Sequence, residues 1–305
     1  MDMDFDTFLI GLYLMVDKWL QTEGQRYIRP QGGTPPRLTD GEMLTLLLAH
    51  QLAQARWRER RWRERRWLRF VWHNYQEWFP SLTTQSAYNR RARNLTGVLN
   101  AMRIRLVREV SAQLPPQGVA DGTPIHVRHW RRYGTHHLAL PEADLGYCAA
   151  KREYYYGYKL VALVTLNGII IEWVLMSASG DERDGLEAMM FDDEGWLIWA
   201  DKGLLDEGRQ RRLEEEQSIT LITPTRRNQK RQLHPALQQE LAATRPIVET
   251  TFAQAKEYLD LEKPHAYTWS GLALRITAKL TAMIVVAWAN LRHGLAPLSF
   301  ANFAW

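Results

Sequence analysis

Apolar residues recur with a helical period through the first third of the chain, then give way to strand-like runs. Residues 5–20 and 39–55 read as amphipathic or buried helices, separated by the turn-rich loop Pro30-Gln-Gly-Gly-Thr-Pro-Pro36. Thr39-Asp-Gly-Glu42 places a Glu three residues after a Thr, the reciprocal capping pattern that starts a helix near residue 40. Further helix is predicted over 56–78 and 83–113, and Pro115-Pro116 breaks the pattern. Beyond it, Tyr158–Leu166 and Gly168–Met176 are rich in Val, Ile, Leu and Trp. Asn167-Gly168 between them is a two-residue hairpin signal. A helix near 181–190, a strand over 196–201, a charged helix over 204–216 and a strand over Ile219–Thr223 follow. The remaining helices fall near 234–243, 245–260 and 270–292. A hairpin followed by alternating helix and strand predicts an α/β fold, a mixed sheet with flanking helices behind an all-α N-terminal region.

Length and charge refine this division. With 305 residues the chain has room for one large domain and a smaller one. We expect a helical domain over 1–115, a sheet domain over 116–293 and a tail over 294–305. Residues 1–115 carry 18 Lys and Arg against 11 Asp and Glu, whereas the remainder is slightly acidic. A basic module joined to an acidic one suits a protein that grips a polyanion with one part and works on it with another. The single cysteine, Cys148, excludes an intramolecular disulfide framework and a Cys-rich zinc finger. The acidic start Met-Asp-Met-Asp-Phe-Asp is unlike a signal peptide, and Leu280–Leu291 is too short to cross a bilayer. A cytoplasmic protein without membrane contact is therefore expected.

Trp57-Arg-Glu-Arg-Arg-Trp62-Arg-Glu-Arg-Arg-Trp67 is a tandem repeat of five residues. Five residues turn a helix by about 500°, so successive tryptophans do not share a face. The repeat reads as a short duplication in a solvated basic helix, which attracts phosphate without specificity.

The chemistry is carried by three carboxylates. Asp121 follows the apolar run Gly118-Val-Ala, Asp201 closes Trp196-Leu-Ile-Trp-Ala, and Glu249 lies in a helical segment running from Arg245 to Lys256. Acids at the ends of buried strands are costly unless a cation compensates them. At about 100° per residue, Arg245, Glu249 and Lys256 form one polar stripe, and Val248, Phe252, Ala255 and Leu259 form an apolar stripe beside it. Thr244 as cap and Pro246 in the first turn would begin this helix. An ordinary Arg245–Glu249 surface pair is the competing explanation.

Asp121-Gly-Thr-Pro, Asp201-Lys-Gly and Arg245-x3-Glu249-x6-Lys256 together resemble the DDE transposases of bacterial insertion sequences. Gly146-Tyr-Cys, Tyr156-Gly-Tyr-Lys159, Leu221-Ile-Thr-Pro-Thr-Arg-Arg-Asn-Gln-Lys230 and the stretch Gly271–Lys279 extend the likeness from about Gly118 to Asn290. Gln85-Ser-Ala-Tyr-Asn-Arg-Arg91 is similar to the N-terminal region of the same group. The resemblance implies an RNase H-like, five-stranded mixed sheet that brings Asp121, Asp201 and Glu249 around two Mg²⁺ or Mn²⁺ ions. It implies cleavage at insertion-sequence ends and strand transfer into target DNA, one cation serving the attacking water or 3′-hydroxyl and the other the leaving oxygen. Double-stranded DNA (terminal inverted repeats and target) is the implied partner, with a homodimer joining two ends. Arg245 and Lys256 match the basic positions flanking the glutamate and are assigned to DNA phosphates. Ala242 stands where the group has Tyr, and Leu204 where an aromatic is usual. A nuclease that cuts without joining, and a noncatalytic DNA-binding derivative, remain alternatives.

Secondary signals complete the reading. Lys202 adjoins Asp201, and Arg226, Arg227 and Lys230 lie in a loop beside the expected active-site edge, so all four are assigned to phosphate. Arg90 and Arg91, with Arg93, are assigned to DNA in the helical region. His126, His129, His136 and His137 lack the spacing of a zinc site and read as exposed loop residues. Tyr154, Tyr155, Tyr156 and Tyr158 could stack bases, although Tyr156 and Tyr158 alternate into a strand as packing residues. Asp181, Asp184, Asp192 and Asp193 are taken as structural.

Overall fold

The computed structural model describes residues 4–28, 36–56, 63–132, 140–149, 151–189, 195–204, 206–225 and 232–300. Five helices come first: α1 (Phe5–Thr22), α2 (Asp40–Arg56), α3 (Glu64–Asn74), α4 (Gln85–Asn94) and α5 (Thr96–Ser111). Then follow β1 (Gln117–Arg128), β2 (Asp144–Cys148), β3 (Glu153–Thr165), β4 (Ile170–Ser177), α6 (Glu182–Met189), β5 (Leu197–Ala200), α7 (Glu207–Gln217) and β6 (Thr220–Ile222). The long helices α8 (Pro235–Leu259) and α9 (Trp269–Arg292) close the chain.

Two compact units emerge. One comprises Met1–Glu109, Glu257–Leu259 and Ser270–Trp305; the other comprises Val110–Lys256 and Asp260–Trp269. Thus nearly all of α9 clusters with the N-terminal helices rather than with the sheet.

In the helical unit the local signals act as the sequence predicts. Thr39 Oγ1 accepts from Glu42 N at 3.1 Å and the Glu42 carboxylate accepts from Thr39 N at 2.5 Å, so the capping box forms in both directions. The expected single helix over 83–113 is two, parted at Leu95. Trp67, the third tryptophan of the repeat, is fully buried against His50 rather than solvated, with ring centroids 5.5 Å apart. Residues 57–62 lie outside the described residues. Helix α9 has the length and composition to cross a membrane, twice the 12-residue apolar stretch visible in the sequence. Yet 78% of its most apolar window is buried inside the protein.

In the other unit, the order β2-β3-β1-β5-β6 carries β4 as a further partner of β3. The hairpin strands β3 and β4 pair antiparallel, β1 is antiparallel to β3, and β5 and β6 continue parallel to β1. Because β2 pairs with Glu153–Gly157 and β4 with Tyr158–Val164, both line one edge of β3 end to end. The sheet is therefore five positions wide but has six strands among the described residues, one more than expected. Its core is the run Leu160–Val164, essentially without solvent exposure. This is the RNase H-like arrangement, with α6 and α7 as crossovers between the strands. Helix α6 closes on β3 at Gly185, where a Cβ would lie 3.0 Å from Val161.

Two local readings change. The β3–β4 connection has four residues, 166–169, rather than two. Gly168 N donates to Thr165 O at 2.9 Å, Thr165 N donates to Ile169 O, and Gly168 takes the left-handed conformation (φ 83°) that closes a bulged loop. The expected helices 234–243 and 245–260 are one. Thr244 is no cap: its hydroxyl donates back to Glu240 O at 3.0 Å inside the continuous α8, which runs through Pro246.

Candidate active site

The sheet topology determines where the acids fall. Parallel pairing between β1 and β5 covers Gln117–Ala120 and Leu197–Ala200, so Asp121 and Asp201 are the next residues on two neighbouring strands. Strand β1 itself continues to Arg128, leaving Asp121 in mid-strand rather than at an end. Past Ala120 only β3 pairs with it among the described residues, and Pro124, which lacks a backbone donor, is tolerated there. Helix α8 supplies the third acid. Its apolar stripe is buried as the spacing predicts, with Val248 at 1% and Phe252 at 4% exposure. The Thr251 hydroxyl donates to Gly168 O at 3.3 Å, tying the helix to the β3–β4 loop.

A cavity of about 690 Å³ is lined by Asp121, Asp201, Lys202, Thr225, Ala242 and Arg245 among others. Arg245 Nη1 lies 3.4 Å from Asp201 Oδ1, and Arg245 Nε donates to Glu249 Oε1 at 3.2 Å. The i,i+4 pair thus exists, but its arginine also reaches the strand-end aspartate. Asp121 accepts a hydrogen bond from Gly122 N at 2.8 Å. Burial pushes its carboxyl up to about 6; the Gly122 amide opposes this, the charges of Glu182 and Asp201 add to it, and Arg245 opposes it again. Asp121 shares the cavity wall with Asp201, and both offer carboxylate oxygens as donors. That set suits a hard divalent cation.

The other assigned residues divide. Lys202 is exposed on a 3₁₀ turn at the cavity. Lys256 is half-buried, and burial, partly offset by Glu262, lowers its ammonium pKa. Arg90 is exposed on α4. Arg91 is mostly enclosed and is committed to the Leu38 carbonyl and the Asp40 carboxylate, so it anchors the start of α2. Arg226, Arg227 and Lys230 lie outside the described residues, as do His136, His137, Asp192 and Asp193.

Asp181 and Asp184 engage Arg183 and Arg209 at 2.7 Å each, as structural acids do. Between them, Glu182 was missed. Its carboxylate pairs with Lys159 at 3.0 Å and approaches Asp121 because residue 122 has no side chain; a Cβ there would lie 2.9 Å from Glu182 Oε1. The one available signal was the glycine directly after the first aspartate.

His126 is not a loop histidine. It sits on β1, stacked on Tyr155 at 5.1 Å, and burial lowers its pKa. Its ring and the carboxylates of Glu153 and Glu262 offer metal-type atoms within 4.8 Å of one another; among the described residues this is the one such group, and Asp121, Asp201 and Glu249 do not come together so closely. Lys151 Nζ already contacts both Glu262 oxygens, at 2.5 and 2.7 Å, and supplies the positive charge there.

An RNase H-like sheet that sets Asp121 beside Asp201, with Glu249 on a helix joined to Asp201 through Arg245, defines a class of nucleic-acid-processing enzyme. The family model described as "Transposase DDE domain" matches residues 112–267, about half of the chain, and the chain belongs to that family. No curated protein and no solved structure matches it. Membership makes it a transposase of the nuclease and transferase kind, with DNA as partner and a divalent metal as requirement.

Proposed function

We propose that this protein cleaves DNA at the ends of its own insertion sequence and transfers those ends into target DNA. The observation that carries the reading is the meeting of Asp121, Asp201 and Arg245 in one cavity, with Glu249 held by the same guanidinium. Asp121, Asp201 and Glu249 would hold Mg²⁺ or Mn²⁺, two ions in the fullest form. When bound, the cations supply positive charge that stabilises the attacking and departing oxygens of an in-line phosphodiester displacement.

The chain's own residues do the remainder. Arg245 neutralises Asp201 and Glu249 in the free protein and turns its fork toward a DNA phosphate in the complex. Lys202 at the cavity and Lys256 behind it contact the same backbone, and a phosphate beside Lys256 favours its charged form. Arg90, with the loop bearing Arg226, Arg227 and Lys230, extends the positive track. The protein works in the cytoplasm, as a homodimer when it holds two ends.

The experiment supplies labelled element ends, a target plasmid and Mg²⁺. Joined products establish the reading; cut ends that never join would reduce the protein to a nuclease, and intact DNA would leave a binding protein.

A further inference from the structure

We propose that the sheet unit carries a stacking platform for unpaired nucleobases, formed by Trp130, Tyr147 and Tyr154. This rests on the reading of DNA as partner and adds a binding site distinct from the acid-lined cavity.

Tyr147 and Tyr154 lie directly opposite each other in the β2–β3 ladder, with ring centroids 5.0 Å apart. Trp130, on the 3₁₀ turn after β1, comes within 6.2 Å of Tyr154. All three remain open to solvent, at 40%, 55% and 57% exposure. The tyrosines of β3 differ in burial, with Tyr156 intermediate. Tyr155 and Tyr158 are buried to within a few per cent and belong to the core, whereas Tyr154 contributes nothing to it. Three contiguous aromatic side chains held in water lose the favourable burial that each would gain elsewhere. Such a patch marks a binding surface.

The chemistry around the rings selects the occupant. Arg131 lies over the Trp130 ring at 5.4 Å, and Arg152, in the turn joining β2 to β3, is exposed beside Tyr154 in sequence. Aromatic faces with interleaved cations fit a single strand, whose bases stack on the rings while its phosphates meet the cations. Paired bases are already stacked within a duplex and offer no free face, so the platform acts on unpaired ones. Strand β1 runs seven residues from Asp121 to Arg128, roughly 23 Å at the rise of a strand. The platform therefore meets DNA several nucleotides from the phosphodiester at the acids.

The test uses the full-length protein with a fluorescent oligothymidine and, separately, a duplex of unrelated sequence. Trp130→Ala and Tyr154→Ala should each weaken oligothymidine binding by about 5- to 100-fold, the range of one lost base–aromatic stack. Duplex affinity should stay within about twofold and the salt dependence of single-strand binding should not change, because phosphate contacts remain. Trp130→Phe should restore most of the loss and controls for folding. Alanine variants that hold oligothymidine as tightly as the parent, or that lose duplex and single strand in equal measure, overturn the platform. A parent protein that binds neither DNA overturns the reading of DNA as partner.

Discussion

Arg245 reaches from helix α8 to the carboxylate of Asp201 at the end of β5, 3.4 Å away. Its other contact, 3.2 Å to Glu249, makes one guanidinium the counter-charge for two of the three acids. All three side chains are about half exposed, so these pairs add little to stability, on the order of 0–1 kcal/mol. Their consequence is electrostatic: the arginine occupies charge that a metal would otherwise satisfy. Arg245→Ala should leave the thermal midpoint nearly unchanged and tighten Mn²⁺ binding in the absence of DNA by about three- to tenfold. That range corresponds to roughly 1 kcal/mol, the size of a unit-charge interaction at about 4 Å screened by water. Calorimetric titration with Mn²⁺ reads this directly, and weaker binding in the variant would show that Arg245 supports the metal rather than competing with it.

Each acid is tested by isosteric neutralisation. Asp121→Asn, Asp201→Asn and Glu249→Gln should each lower end cleavage by at least about 10³-fold, the upper range for removing one preorganised charge contact at a reacting centre. DNA binding should persist, because none of the three is a phosphate ligand by itself. Gel assays of cleavage and binding on the same preparations decide the matter. Near-normal cleavage in any one variant removes that residue from the assignment.

Asp121 links stability to pH. Its folded pKa is raised from 3.8 to about 6, so its contribution is fully favourable below about pH 4 and is lost as pH climbs through 6. Across that window the metal-free protein should lose up to about 3 kcal/mol, two pKa units at 1.36 kcal/mol each. Asp121→Asn carries no charge to desolvate and should be the more stable protein at pH 7, with the gap closing toward pH 4. Urea unfolding of both proteins at several pH values gives the comparison. A constant difference between them would mean that Asp121 titrates normally. Added Mg²⁺ should raise the parent at pH 7 and leave the variant where it is.

Glu182 contributes negative charge beside Asp121 while paired with Lys159. Removing it with Glu182→Gln should narrow the pH-dependent loss just described and weaken Mn²⁺ binding several-fold. Glu187→Gln, five residues on in the same helix and paired with Arg209 and Arg212 at 3.5 and 3.3 Å, serves as the control. Equal effects from both substitutions would trace the change to helix α6 rather than to charge at Asp121.

Each acid belongs to a local pattern that can be read in the chain: one follows a short apolar run, one closes a strand, and one lies on a polar helical stripe. What the pattern could not hold was the partner across space. Glu182 looked like one of several acids in a charged helix start, and only its approach over Gly122 distinguishes it. Arg91 and His126 failed in the opposite way. Both are polar in composition and half-enclosed in fact, since Arg91 satisfies backbone and carboxylate oxygens near α2 and His126 packs its ring on Tyr155. Trp67 was mistaken for surface because a five-residue repeat has no helical phase, although its individual position is the core of α3. The fold was easier to read than the site, because strand order follows from hydrophobic runs and connection lengths that are continuous in the chain.

Pro246 shows how far local rules are overridden. It sits between Arg245 and Glu249 inside a helix of 25 residues, where the sequence argued for a helix start. A proline nitrogen has no hydrogen to give, so the carbonyl four residues back, that of Ala242, receives no helical bond from it. Ala242 is part of the cavity wall beside Asp201 and Arg245. The helix therefore forgoes stability at the turn that presents its polar residues. Pro246→Ala restores the donor and removes the ring clash, and should raise unfolding stability by about 1–3 kcal/mol, within the penalty for an interior proline. Urea midpoints of parent and variant measure the gain. A variant that is no more stable would show that the Ala242 carbonyl is already satisfied and that the turn is relaxed around its proline.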